Sequence, residues 1–285
     1  MKNDIRTLLG LKKTEGRYGV EIEAEGNILP NDISAVWRVE RDNSLQSGYE
    51  AREYVMKAPS DLNGVRQALN DLAKAYKYNG TQVYETDTSG VHVHLNVQEY
   101  TLKELFTLYT TYFAVEELLL TYCGEQRQGN HFCLRMKDAE YILQEYIMTA
   151  TKRNLINLKT ENLRYCSLNS LSLFNYGSAE FRAMRGTPDL DAIFEWVTIL
   201  DRIRQAALEF PDPSEVVRVM SMGGEIEFIK RVFGDKANIF LAVKGCTNMV
   251  RDGVRMIQAL AYCTDWSKYK AVSYTHLTLP TNREV

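Results

Sequence analysis

Long apolar runs are missing from this sequence. No stretch approaches the ~18 consecutive apolar residues of a membrane-spanning helix, and the start, MKNDIRTLLGLKK, carries no apolar signal-peptide core. A cytoplasmic chain with no membrane partner is the expectation. Cysteine is scarce: Cys123, Cys133, Cys166, Cys246 and Cys263 are odd in number, widely spaced and never C-x-x-C. That pattern excludes a disulfide framework or a zinc ribbon and predicts core thiols. No dense Lys/Arg block occurs and the formal net charge is -3, which argues against a nucleic-acid partner. Neither G-x-G-x-x-G nor G-x-x-x-x-G-K-[ST] is present, so the two common glycine-rich nucleotide cradles are excluded. Histidine numbers four, and His276 falls in a final stretch, VSYTHLTLPTNREV (272–285), with neither helical period nor strand partner. That stretch reads as translated sequencing adaptor rather than native chain and is set aside.

What is present is the balance of a globular protein, 45% hydrophobic and 25% charged over 285 residues. RYGVEIEAEG (17–26) alternates Val20, Ile22 and Ala24 against Glu21, Glu23 and Glu25, the period of a half-buried strand. AVWRVER (35–41), YEAREYVMKA (49–58) and VHVHLNV (91–97) read as further strands. Ser60 is placed to cap a helix through Tyr78, stopped at Gly80. Thr101 and Glu104 form a capping box for a helix that runs to Tyr122 and stops at Gly124. The loop EQRQGNHFCLR leads to a helix near 138–148, and 163–185 reads as two strands joined at Tyr176-Gly177. Pro188 and Asp189 open a helix to Phe210, and only helices follow, to Cys263. This order predicts an α+β fold with a largely antiparallel sheet flanked by helices. The expected division is a catalytic domain over 1–210, a helical extension over 211–271 packed on it and the non-native tail over 272–285.

Three constellations carry chemistry. Glu21, Glu23 and Glu25 share a strand face, about 7 Å from each to the next. Such carboxylates repel one another unless water or a cation screens them, so the row is either solvated or a site for a hard cation such as Mg²⁺ or Mn²⁺. His92 and His94 share a face of the next strand, either solvated or functional, and only His131 remains to complete a zinc shell. Glu180 and Arg182 share a third strand face, with Arg164 and Arg185 near in sequence. That grouping is either a surface ion pair or a recognition site for phosphate or carboxylate.

In order along the chain, GVEIEAEG, RDNSL, EYVMKAP, GVHVHLNV, RQGNHFC and RYCSLNSLSLFNYGSAEFRAMRGTPD resemble the amidoligase family, over about residues 17 to 205. That family is similar to glutamine synthetase and glutamate-cysteine ligase. The resemblance implies a glutamine-synthetase-like sheet and an ATP- and Mg²⁺-dependent (or Mn²⁺-dependent) carboxylate-amine ligase working through an acyl phosphate. Its substrates would be small-molecule, peptide or protein carboxylates and amines. It also implies that Glu21, Glu23, His92 and Glu180 ligate metal, with Glu53 a further ligand and Glu50 its rival. Asp42 would receive and deprotonate the amine, His94 would face the nucleotide, and Arg182 would stabilise the transferring phosphoryl group. Arg164 and Arg185 would hold phosphate or the substrate carboxylate, and Arg127 would lie on the substrate side. Glu25 has no counterpart and reads as solvated, and Asn96 has no role. The rivals are a metal-dependent hydrolase using His92 and His94, and a catalytically silent binding protein of the same fold.

Overall fold

The alternation of RYGVEIEAEG seeds a sheet with two unlike faces. The computed structural model describes residues 4–41 and 48–269, so Asp42 and the 272–285 tail lie outside the described residues. Within them the strands are β1 (Tyr18–Asn27), β2 (Trp37–Glu40), β3 (Glu50–Met56), β4 (Gln82–Tyr84), β5 (Gly90–Asn96), β6 (Leu168–Asn169) and β7 (Ser178–Arg185). They form one antiparallel sheet in the order β2-β3-β1-β5-β7-β6, with β4 pairing the far end of β1. Glu21 stands opposite His92, Glu23 opposite Glu53, and His94 opposite Glu180. Residues directly opposite share a face, so this register collects all six on one side of the sheet.

The helices are α1 (Ile5–Leu9), α2 (Leu62–Asn79), α3 (Leu102–Cys123), α4 (Glu140–Lys152), α5 (Ser172–Tyr176), α6 (Leu190–Glu209), α7 (Pro213–Phe233), α8 (Ala237–Leu241) and α9 (Cys246–Ala261). Helices α2, α3 and α6 cover the apolar face of the sheet. Tyr18 donates its hydroxyl proton to Asp201 of α6, the Trp37 indole donates to the Ala68 carbonyl of α2, and the Phe181 ring packs on Tyr112 of α3. Tyr18, Val20, Ile22 and Ala24 are buried there, and each large apolar side chain so buried contributes about 1.5–3 kcal/mol. The capping box on α3 forms as its sequence predicts: Glu104 N–H donates to Thr101 Oγ1 at 3.2 Å, and Thr101 N–H to Glu104 Oε2 at 2.7 Å. Helix α3 is buried on nearly every side because α6, α7, α9 and β7 surround it.

Two local expectations change. The cap of α2 is Asp61 rather than Ser60, since Asp61 accepts from Gly64 N–H at 2.8 Å. The expected hairpin over 163–185 has only the two-residue β6, and its connection is the short α5, closed by Gly177 in the left-handed region at φ 68°. Glycine permits that conformation without a Cβ clash. Helix α7 is broken at Gly224, where φ is 74°. The five cysteines are free thiols, four of them buried. Among the described residues, no helix is long and apolar enough to cross a membrane.

Candidate active site

The polar face of the sheet is a row of acids and imidazoles facing one another across strands. His92, 1% exposed, places Nδ1 2.9 Å from Glu21 Oε1 and Nε2 3.7 Å from Glu23 Oε2. His94 Nε2 lies 3.8 Å from Glu21 Oε2 and 4.0 Å from Glu180 Oε2, and its Nδ1 lies 3.1 Å from Ser178 Oγ. Glu180 accepts from Arg182 Nη1 at 2.7 Å and from Asn169 Nδ2 at 2.7 Å. Arg182 also lies 3.4 Å from His92 Nδ1. A shift in register between Val91 and Val93 relative to β7 accompanies this meeting of Glu180, Arg182 and His92.

Burial alone would favour the neutral form of these carboxyls, yet the surroundings reverse it. For Glu21, desolvation is outweighed by hydrogen bonds to His92 and His94, which hold its carboxyl far below the usual carboxylate range. For Glu180, desolvation is outweighed by the charges of His94, His92 and Arg182. Desolvation would lower the His94 pKa, but its hydrogen bond to Glu21 and the charge of Glu180 raise it. Glu21 and Glu180 are thereby held in the ionised form beside the Arg182 guanidinium.

His92 Nε2 is buried with no hydrogen-bond partner, although an imidazole nitrogen in that position normally has one. Glu21, Glu23 and His92 offer ligand atoms all within 4.8 Å of one another. Two carboxylates and an imidazole, with an orphaned nitrogen turned toward Glu23, are a donor set suited to Mg²⁺ or Mn²⁺. These three residues can therefore hold a divalent cation, with Glu180 and Glu53 beside them.

The remaining candidates lie both on this row and away from it. Glu53 stands opposite Glu23 and also interacts with the Glu21 carboxyl, whereas Glu50 is drawn off to Arg52 and the Leu29 N–H. Arg185 faces Glu85 and donates to the Cys123 carbonyl at 3.2 Å. Arg164 is exposed, 5.8 Å over the Tyr165 ring, and forms no ion pair with the acidic row. His131 is exposed and stands outside the Glu21, Glu23 and His92 group. Glu25 is not solvated: it is 0% exposed and accepts from the Thr88 hydroxyl, because the β1 end is covered by β4 and the turn before β5. Asn96 fastens the 12–17 loop, donating to the Thr14 and Gly16 carbonyls at 2.9 Å each.

One participant, Asn169, was not visible in the sequence, and Arg127, which the resemblance set on the substrate side, lies beside the row. Asn169 orients Glu180, and its signal is positional: it stands opposite Glu180 in β6. Arg127 is 1% exposed and donates to the Arg182 carbonyl at 2.7 Å. Its guanidinium lies over Gly90, where an added Cβ would come 3.4 Å from Arg127 Nη1 and 3.2 Å from Glu23 Oε2. The glycine before VHVHLNV thus leaves room for a charge beside the acidic row.

An antiparallel sheet carries helices on one face and a carboxylate-imidazole-guanidinium row on the other, in which Glu21, Glu23 and His92 could hold a metal ion. Residues 36–203 match the family described as "Putative amidoligase enzyme", and the chain belongs to that family. Membership makes it an enzyme of the amide-forming ligase kind. No curated protein matches the chain. The matched span contains His92, Glu180 and Arg182 but not Glu21 or Glu23. β1 brings those two in by pairing with β3 and β5.

Proposed function

We propose that the protein is an ATP-dependent carboxylate-amine ligase that forms an amide through an acyl phosphate. The observation that carries this reading is the buried His92, its Nε2 orphaned beside Glu23, on the sheet face that also holds Glu21 and the Glu180–Arg182 pair. A substrate carboxylate oxygen attacks the γ-phosphorus of ATP, the bond to the β-phosphate oxygen breaks, and ADP leaves. The amine nitrogen then attacks the acyl carbon, phosphate departs, and the surplus amine proton passes to a carboxylate, a role we assign to Asp42. A divalent cation, when bound, supplies positive charge that offsets the nucleotide phosphates. Glu21, Glu23 and His92 would hold it, with Glu180 and Glu53 completing the acidic surround.

Arg182 is held by Glu180 and the Phe132 carbonyl, so it would present a fixed cation to the transferring phosphoryl group without reorganisation. His94, edge-on to the Tyr176 ring at 5.9 Å, would face the nucleotide. Arg164, exposed beside Tyr165, would meet phosphate or the substrate carboxylate from the rim. Arg185, already engaged by Glu85, stays an outer candidate for the same role. The substrates would be a carboxylate and an amine carried by small molecules, peptides or proteins.

Titrating ATP into the protein with and without Mg²⁺ tests the reading directly. Saturable binding that requires Mg²⁺ is expected. Failure of nucleotide to bind with Mg²⁺ present would end the ligase assignment, and tightly bound zinc in its place would favour a hydrolase.

A further inference from the structure

A second polar cavity, of about 750 Å³, opens at the end of β1 and β5 beside the 13–17 loop, the first turn of α2 and α6. Tyr18, which lines it, belongs to the helix-covered face of β1, opposite the face of Glu21 and Glu23. Its carboxylates are largely committed. Asp61 caps α2 and Glu104 closes the α3 capping box. Glu15 pairs with Lys13. Asp201 accepts from Tyr18, from Arg204 Nε at 2.7 Å and from Gln205 at 2.7 Å. Glu99 stands exposed at the mouth.

The donors are less committed. Arg17 forms no ion pair or side-chain hydrogen bond among the described residues. Arg204 has a side chain only 12% exposed and is anchored by its Nε on Asp201, while its guanidinium bears on the Tyr18 and Tyr100 hydroxyls and pairs with no second carboxylate among the described residues. The Tyr100 hydroxyl is buried beside Arg204, which bears on it as a hydrogen-bond donor, and its own proton has no acceptor. Two adjacent donors, one of them a rigidly held guanidinium fork, call for an oxyanion between them.

We infer that this cavity binds the oxyanion of a small molecule, a carboxylate or a phosphate, through Arg204, the Tyr100 hydroxyl and Arg17. The inference goes beyond the ligase reading and does not depend on it. The test is arginine modification of the full chain by phenylglyoxal, mapped by mass spectrometry in EDTA so that the acidic row carries no cation. Inorganic phosphate and succinate are the two probes, and the exposed Arg255 is the control. One of them should slow modification of Arg17 while Arg255 reacts unchanged, and the better protector identifies which oxyanion the cavity prefers. Tyr100→Phe removes a hydroxyl whose proton has no acceptor in the fold, and it should raise the anion concentration needed for half-protection roughly tenfold, the scale of one charge-assisted hydrogen bond. Lack of protection of Arg17 by either anion would overturn the inference, as would protection that Tyr100→Phe leaves unchanged.

Discussion

At the residue scale, His92 Nε2 has an unmet hydrogen-bond demand in the middle of the acidic row. A buried nitrogen without a partner costs about 1–3 kcal/mol, and the flanking Glu21 and Glu23 carboxylates are close enough for a shared cation to satisfy all three. Glu23→Gln removes one ligand charge while keeping shape. We expect it to abolish the rise in melting temperature that Mn²⁺ gives the parent protein, with the far-ultraviolet circular dichroism unchanged. A Mn²⁺-dependent rise of the same size in the variant would remove Glu23 from the ligand set. Gly90 allows a second test at this scale. A Cβ there would press on Glu23 Oε2 at 3.2 Å and on the Arg127 guanidinium at 3.4 Å. Gly90→Ala should therefore shift the Glu23 carboxylate by a few tenths of an ångström and weaken Mn²⁺ binding, read by titrating Mn²⁺ into variant and parent. Of these residues, alternation exposed Glu21, Glu23, His92 and Glu180 in the sequence. The burial of Glu25 and the reach of Arg127 were not legible, because both depend on which distant segment covers a strand end.

Between elements, the 125–138 loop is fastened to α3 by a buried acid. Glu116 accepts from the Ser167 hydroxyl and from the Met136 N–H at 2.9 Å. Desolvation outweighs these hydrogen bonds and pushes its pKa from 4.5 up to about 7. The folded state thus keeps the proton over a range where the unfolded chain has lost it. Its contribution is full below about pH 4.5 and is lost as pH rises through about 7, a change on the order of 3 kcal/mol. Glu116→Gln should therefore stabilise the protein relative to the parent at pH 8 but not at pH 4.5, measured by urea denaturation at both. An equal effect at the two pH values would contradict the raised pKa. The helix α3 itself was plain in the sequence from its capping box and apolar run. Its acid was not singled out, since Glu116 and Glu117 look alike until packing buries the first of them. The hairpin expected over 163–185 failed for a related reason: Ser172–Tyr176 has the residues to extend, but Gly177 in the left-handed region closes a helical turn there.

For the whole molecule, the C-terminal helices pack against α3 rather than hanging from the sheet domain. Gly253 of α9 sits so close to α3 that a Cβ would fall 2.4 Å from the Ala114 carbonyl. Gly253→Ala forces the helices apart and should lower stability by roughly 1–3 kcal/mol, with a single urea transition if the helices and sheet unfold together. The α+β class and the antiparallel sheet followed from strand alternation and helical spacing, and local propensity decides both. Strand order did not follow from them: β1 sits between β3 and β5, and only the assembled sheet brings Glu21 to His92.

The central claim, amide formation driven by ATP on the acidic face, is tested most directly by ADP release. Purified protein with Mg²⁺ and ATP would be screened against paired carboxylates and amines, alongside Glu180→Gln. The account predicts ADP release that requires both a carboxylate and an amine and falls by roughly a hundredfold or more in the variant. ADP release that needs neither partner, or that survives intact in Glu180→Gln, would contradict it.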